Sequence, residues 1–219
     1  PLLTCLPGIA GWLLLLGMVS SAAGGDGPLH LTLRTRVKAV DGGATNLMVI
    51  EKQAAWAPKK TALIICDMWD DHWCKSAARR VTELAGPMNA VVKAARAKGV
   101  FIIHSPSSVV AFYKDTPQRK LAINAPLARP PVPLSTAERW GTTWCWPDPA
   151  REGQLPIDDS DMGCDCPVKC QIREAWTRQI ATIEMAEGDA LTDVGQETYN
   201  LLHARGIENV ILLGVHLNM

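Results

Sequence analysis

The chain lacks any excess of charge of one sign: 22 lysines and arginines stand against 22 aspartates and glutamates in 219 residues. That balance removes the electrostatic footprint of a nucleic-acid binder and leaves a small molecule as the expected partner. The low-hydrophobicity, high-charge composition of a disordered chain is also missing, since 47% of the residues are hydrophobic, and a core of domain size is within reach. No Gly-x-Gly-x-x-Gly follows either of the first two strand-like apolar runs described below, which disfavours a dinucleotide-dependent oxidoreductase.

Charge is entirely absent from the first 25 residues. Within them Ile9 to Val19 forms a short apolar core around Trp12-Leu13-Leu14-Leu15-Leu16, followed by the small residues Ser20-Ser21-Ala22-Ala23-Gly24. The pattern predicts a secretory signal peptide over residues 1–24, although the basic segment and initiator Met that usually precede such a core are lacking, so the chain is read as clipped at its front. A retained membrane anchor is the alternative, because the uncharged stretch is just long enough to span a bilayer. The shortness of the apolar core favours cleavage, hence a secreted or periplasmic protein with no stable membrane insertion.

Paired Cys-x-x-Cys spacing is missing as well. Beyond Cys5 the cysteines are Cys66, Cys74, Cys145, Cys164, Cys166 and Cys170. Cys66 falls inside an apolar run and reads as a small buried hydrophobe. Cys164-Asp-Cys166-Pro-Val-Lys-Cys170, with Cys145, fits either a zinc cluster or one or two disulfides pinning a loop. With no histidine beside these thiols, and with export expected, disulfides are the favoured reading; their connectivity stays open.

What is present is organised around Thr61-Ala-Leu-Ile-Ile-Cys-Asp67, an apolar run that ends on a carboxylate. Such a run predicts a buried parallel strand, and the C-terminal edge of an open α/β sheet is where ligands bind. Before it, Leu29 to Val37 alternates and Leu47 to Ile50 follows a Gly42-Gly43 turn, predicting a β-rich extension over residues 25–58 with the shape of a hairpin. After it, Val81, Leu84, Met88, Val91, Val92 and Ala95 recur at helical spacing between Ala77 and Lys98, with Gly99 as the stop. Val100 to His104 reads as a second strand, parallel to the first, which would carry His104 to the same edge as Asp67.

From about residue 105 to 173 periodicity gives way to proline, tryptophan and cysteine, an insertion long enough to form a lid. Ile180 to Met185 reads as a third strand, Asp193 to Arg205 as a helix stopped by Gly206, and Val210 to Val215 as a fourth strand. A parallel strand with no covering helix is a poor place for a domain to end, so further chain is expected after Met219. The predicted fold is a three-layer, Rossmann-like α/β domain over residues 59–219 with a mostly parallel central sheet, incomplete at the C-terminus and carrying a loop-rich insertion.

Two blocks, Ala62-Leu-Ile-Ile-Cys-Asp-Met68 with Trp69-Asp-Asp71, and Gly206-Ile-Glu-Asn-Val-Ile-Leu-Leu-Gly-Val-His-Leu-Asn-Met219, resemble the isochorismatase-like cysteine hydrolases, most of all a secreted branch of planctomycete type. The resemblance implies an aspartate base, a lysine, and a cysteine that attacks an amide or related C–N or ester bond through a thioester. Asp67 matches the base. The nucleophile would fall just after Met219. Glu184 occupies the place of the family lysine and would raise a neighbouring carboxylate's pKa instead of activating a thiolate, so either the mechanism is altered or Arg178 or an unseen residue supplies the positive charge. Backbone N–H groups from Val215 onward would serve the oxyanion. Trp69, His104, His216 and Asn218 are candidate substrate contacts.

The nicotinamidase branch carries a metal motif that His104-Ser-Pro-Ser107 does not reproduce, so neither metal nor cofactor is expected. The blander readings are that Asp67 caps a loop, that Trp69, Trp73, Trp140, Trp144 and Trp146 are packing residues, and that Asp70, Asp71 and His72 bond to loops. Loss of the lysine also suits a non-catalytic binding or structural relative. A homo-oligomer is compatible with either.

Overall fold

The computed structural model describes residues 27–41, 44–131 and 162–215. The signal-peptide region, the Gly42-Gly43 turn, Trp140, Trp144, Cys145, Trp146, His216 and Asn218 lie outside the described residues.

Strands β1 (Leu29–Asp41) and β2 (Ala44–Trp56) pair antiparallel, from Leu29 opposite Trp56 to Asp41 opposite Ala44. Both are longer than the alternation in the sequence suggests. Arg34 bonds Glu51 and Thr32 bonds Gln53 across the ribbon, pairs that favour this register. Leu47, Met48, Val49 and Ile50 are exposed, while Leu29 packs against the main core.

The main sheet is parallel, in the order β5-β4-β3-β6, with β3 (Thr61–Cys66), β4 (Phe101–Ser105), β5 (Ala190–Leu191) and β6 (Asn209–Gly214). An unbroken apolar strand must be covered on both faces, and β3 is. On one face Leu63, Ile65 and Ile102 pack against Ala85, Met88 and Val92 of α1 (Lys75–Ala97). On the other, Ala62, Ile64, Phe101 and Ile103 meet Ala122 of α2 (Pro117–Ile123) and Leu201 of α3 (Gly195–Ala204). Each fully buried leucine or isoleucine contributes about 1.5–3 kcal/mol, so this alternation dictates the three layers of a Rossmann-like α/β fold. Among the described residues no helix is long and apolar enough to cross a membrane.

α1 ends where the sequence places its stop. Gly99, at φ +87°, donates its N–H to the Arg96 carbonyl at 2.9 Å, and Val100 donates to Ala95 at 3.1 Å, a glycine-closed helix terminus. Leu84 and Val91 are half exposed: they lie at the edge of an apolar stripe wider than the sheet beneath it.

The third strand is not where the apolar spacing puts it. Ile180 to Met185 forms a turn, with the Ile183 N–H bonded to the Ile180 carbonyl at 3.1 Å. Ile183 is buried in the cluster under α1 and Ile180 packs against it, so the apolar residues of this segment plug a helix–sheet seam. The parallel strand is the two-residue β5, pairing with Ile103 and His104 of β4.

Candidate functional site

Every strand of the main sheet ends on the same edge, and the segments that follow them converge there. Asp67 leaves β3 at φ +48°, a left-handed conformation in which aspartate and asparagine are enriched among non-glycine residues. Its N–H donates to the Ser105 carbonyl at 3.2 Å, and its own carbonyl accepts from Trp69 at 2.8 Å. The carboxylate Oδ1 accepts the Ser107 N–H at 2.8 Å. The next amide in that loop, Ser108, donates to Asp193 Oδ2 at 3.0 Å. Two acids from two strand ends thus hold consecutive amides of the loop after β4. Asp193 was not singled out in the sequence because the strand it follows, β5, has only two residues.

β6 delivers the chain beside Asp67. Cys66 and Gly214 are partners in the parallel register, and an added Cβ at Gly214, at φ +138°, would lie 2.0 Å from the Cys66 carbonyl oxygen. Only glycine permits that approach. The Val215 N–H donates to the same Cys66 oxygen at 3.2 Å. Val215 therefore stands where β6 leaves the sheet, and its amide is committed to the Cys66 carbonyl instead of being free for an oxyanion.

His104 is not on the edge. It is fully buried in β4, with Nδ1 3.0 Å from Gln179 Oε1 and Nε2 3.2 Å from Asp189 Oδ2. Arg96 donates to both oxygens of Asp189, at 3.0 and 2.7 Å, and the Ala186 N–H adds a third donor at 2.8 Å. Burial raises the Asp189 carboxyl, but the bonds from His104, Arg96 and Ala186 outweigh it and hold the group below the usual aspartate range. The expectation that His104 opens onto the Asp67 edge fails, because its alternation parity points it inward, beneath the segment that carries Gln179.

Glu184 faces α1. Its carboxylate accepts from Asn89 at 3.0 Å and pairs with Lys93 at 3.3 Å, while Arg96 donates to its carbonyl at 3.1 Å. Bonds from Asn89 and Lys93 lower its carboxyl. Asn89 lies 14 residues along α1 from Lys75, about 21 Å from the helix start that adjoins the Asp67 edge. The structure does not bring Glu184 to Asp67.

Trp69 and Val215 do come together. With His72, Ala77, Val81 and Leu84 they line a cleft of about 240 Å³ at the C-terminal edge, with Asp71 and Arg80 also in its wall. Trp69 stacks on Trp176 at 4.4 Å between ring centroids and donates Nε1–H to the Ser107 carbonyl at 3.1 Å. The returning segment is clamped by Asp70, whose carboxylate accepts from the Thr177 N–H (2.8 Å), the Thr177 hydroxyl (2.6 Å) and the Arg178 N–H (3.2 Å). Partial burial raises the Asp70 carboxyl, and these bonds more than reverse it. Arg178 lies 3.7 Å from Asp70 and over the Phe112 ring. Asp71 bonds Lys75 and the His72 N–H, and His72 Nδ1 accepts from the Cys74 N–H. The loop-bonding reading of Asp70, Asp71 and His72 holds, and Trp73 is a buried packing residue.

Among the described residues all five cysteines are free, so the expected disulfide pins are not found there. Cys66 adjoins Asp67, and burial followed by the Asp67 charge pushes its thiol up, the reverse of what a nucleophile requires. Cys74, Cys164 and Cys166 instead converge on one another. Hydrogen bonds from the Ser76 N–H and side chain lead in lowering Cys166 to about 6.

The fold and this edge define a three-layer α/β protein with an aspartate held at the end of its central strand. No protein-family model matches the chain, and no curated protein matches it.

Proposed function

We propose that the protein is an exported isochorismatase-like hydrolase acting on a small amide or related C–N or ester bond. Asp67 is the base, taking the proton of a cysteine thiol that follows Met219; the thiolate attacks the carbonyl carbon, the amine or alcohol leaves, and water hydrolyses the thioester. The observation that carries this reading is the adjacency of β3 and β6, with the Val215 amide on the Cys66 carbonyl at 3.2 Å. β6 thus ends, at Gly214 with Val215 following, beside the residue that precedes Asp67. The cleft walled by Trp69 and Val215 is of a size for a small substrate.

A non-catalytic binding role is favoured by one observation. Arg178, the cation named as a replacement for the family lysine, is engaged elsewhere, with Asp70, and the lysine that meets Glu184 is Lys93 of α1. Hydrolysis of an amide and ester panel by the chain extended past Met219, with and without iodoacetamide, decides between them. Iodoacetamide-sensitive turnover supports the hydrolase; a residue other than cysteine in the first positions after Met219, with no turnover, supports the binding protein.

A further inference from the structure

We infer that Cys74, Cys164 and Cys166, with Cys170 as fourth ligand, form a structural thiolate site for a zinc ion. The sequence grouped Cys164, Cys166 and Cys170 with Cys145, which lies outside the described residues. The fold brings Cys74 to them from 90 residues before Cys164, because Cys74 immediately precedes α1.

The sulfurs of Cys74, Cys164 and Cys166 all lie within 4.8 Å of one another, and Cys74 Sγ is 3.9 Å from Cys166 Sγ. A tetrahedron with zinc–sulfur bonds of about 2.3 Å has sulfur–sulfur edges of about 3.8 Å. A disulfide needs about 2.05 Å. The Cys74–Cys166 spacing is thus that of two ligands around an ion, and Cys170, whose sulfur lies outside the group of three, would turn in from its contact with the Val168 carbonyl to complete the set. Cys74 and Cys164 are buried, and Cys166 and Cys170 pack against them with Trp73 and Trp176, giving a shell that limits water access.

Ser76 is aimed at two of the sulfurs: its N–H donates to Cys166 Sγ at 3.3 Å, and its hydroxyl lies 3.3 Å from Cys74 Sγ. N–H donors oriented on sulfur are the outer-shell support that metal-bound thiolates require. Arg80 stands nearby, paired with Asp165 at 2.7 Å, and offsets part of the excess negative charge of four thiolates on a divalent ion. Soft sulfur donors with no oxygen or imidazole among them select zinc over magnesium or calcium. The ion takes all four sulfurs as thiolates, so binding releases to solvent whatever protons they still carry.

The ion would tie the segment containing Cys164 and Cys166 to the start of α1. From that anchor the chain runs to Trp176, which stacks on Trp69 in the wall of the cleft. The site is independent of the hydrolase reading, since metal content is measured without substrate.

The test is metal analysis of the 219-residue protein purified under reducing conditions, followed by exchange with cobalt. About one equivalent of zinc is expected, released in step with mercurial titration of the thiols, and the cobalt form should show the intense visible and near-ultraviolet bands of tetrahedral thiolate coordination. Cys74→Ser or Cys166→Ser should weaken retention about tenfold or more, and Cys66→Ser should leave it unchanged. Cys170→Ser should shift the cobalt spectrum; an unchanged spectrum overturns Cys170 as the fourth ligand. Folded wild-type protein that takes up neither zinc nor cobalt, or peptide mapping that finds Cys74 in a disulfide with Cys164 or Cys166 in the reduced-purified protein, overturns the site.

Discussion

Asp67, the first residue after β3, and Ser107, the second after β4, are joined by a 2.8 Å bond from the Ser107 amide to the Asp67 carboxylate. It ties the end of the central strand to the loop after β4 and leaves the second carboxylate oxygen for other work. Asparagine keeps an acceptor at Oδ1 and tolerates φ +48° nearly as well as aspartate. Asp67→Asn should therefore fold normally, within about 1 kcal/mol of the parent in urea. In the chain extended past Met219 it should reduce turnover about 10²–10⁴-fold. Unchanged turnover would remove Asp67 from the chemistry. Asp67→Ala, which loses both the acceptor and the tolerance of the left-handed conformation, should cost about 1–3 kcal/mol in the same titration.

The buried group His104, Asp189 and Arg96 governs stability on the acid side. The Asp189 carboxyl is held below its usual range, so its contribution is present above the unfolded value of about 3.9 and is lost as pH falls through the lower, folded value. Urea midpoints should fall on acidification below about pH 4. Asp189→Ala strands Arg96 and His104 and should cost about 3–5 kcal/mol at neutral pH. A loss below about 1 kcal/mol would show that the group is not the lock that its burial implies.

The layers of the fold were legible because burial follows period. Apolar runs at Thr61 to Cys66, Phe101 to Ile103 and Val210 to Leu213 are strands, and the stripe through Met88 and Val92 is the face of α1. Asp67 was legible for the same reason, as the first charge after a buried strand. Ile180 to Met185 misled because Ile180 and Ile183 are inward at the spacing of a turn over a helix, while the true strand, Ala190–Leu191, is too short to show any period. Glu184 followed that error to the wrong end of α1. The thiol group was hidden differently: no local spacing links Cys74 to Cys166, and only the return of the chain to the start of α1 brings them together.

Asp70 holds the returning segment by three bonds to residues 177 and 178. Asp70→Ala should release that segment while leaving the sheet intact, because no core residue is removed. Amide exchange should accelerate at Thr177, Arg178 and Ile180, whose N–H reaches the Met68 carbonyl at 2.7 Å, with little change in β3 and β4. Trp69 fluorescence should shift as its stack on Trp176 loosens. Exchange that rises equally across the sheet would mean that Asp70 supports the whole domain instead of one docked segment.

Cys66 provides a direct reading of the electrostatics at the strand edge. Its thiol is pushed up first by burial and then by the charge of Asp67. Raising a thiol's pKa withholds the thiolate until higher pH, so Cys66 alkylation by iodoacetamide, followed peptide by peptide, should have its midpoint above the ordinary value of about 8.5. Asp67→Asn removes the second cause and leaves the first. The midpoint should then move part of the way down, and the rate at neutral pH should rise, although the variant changes no contact of the sulfur with solvent. A midpoint that does not respond to Asp67→Asn would mean that burial alone sets the thiol and that the carboxylate is screened from it.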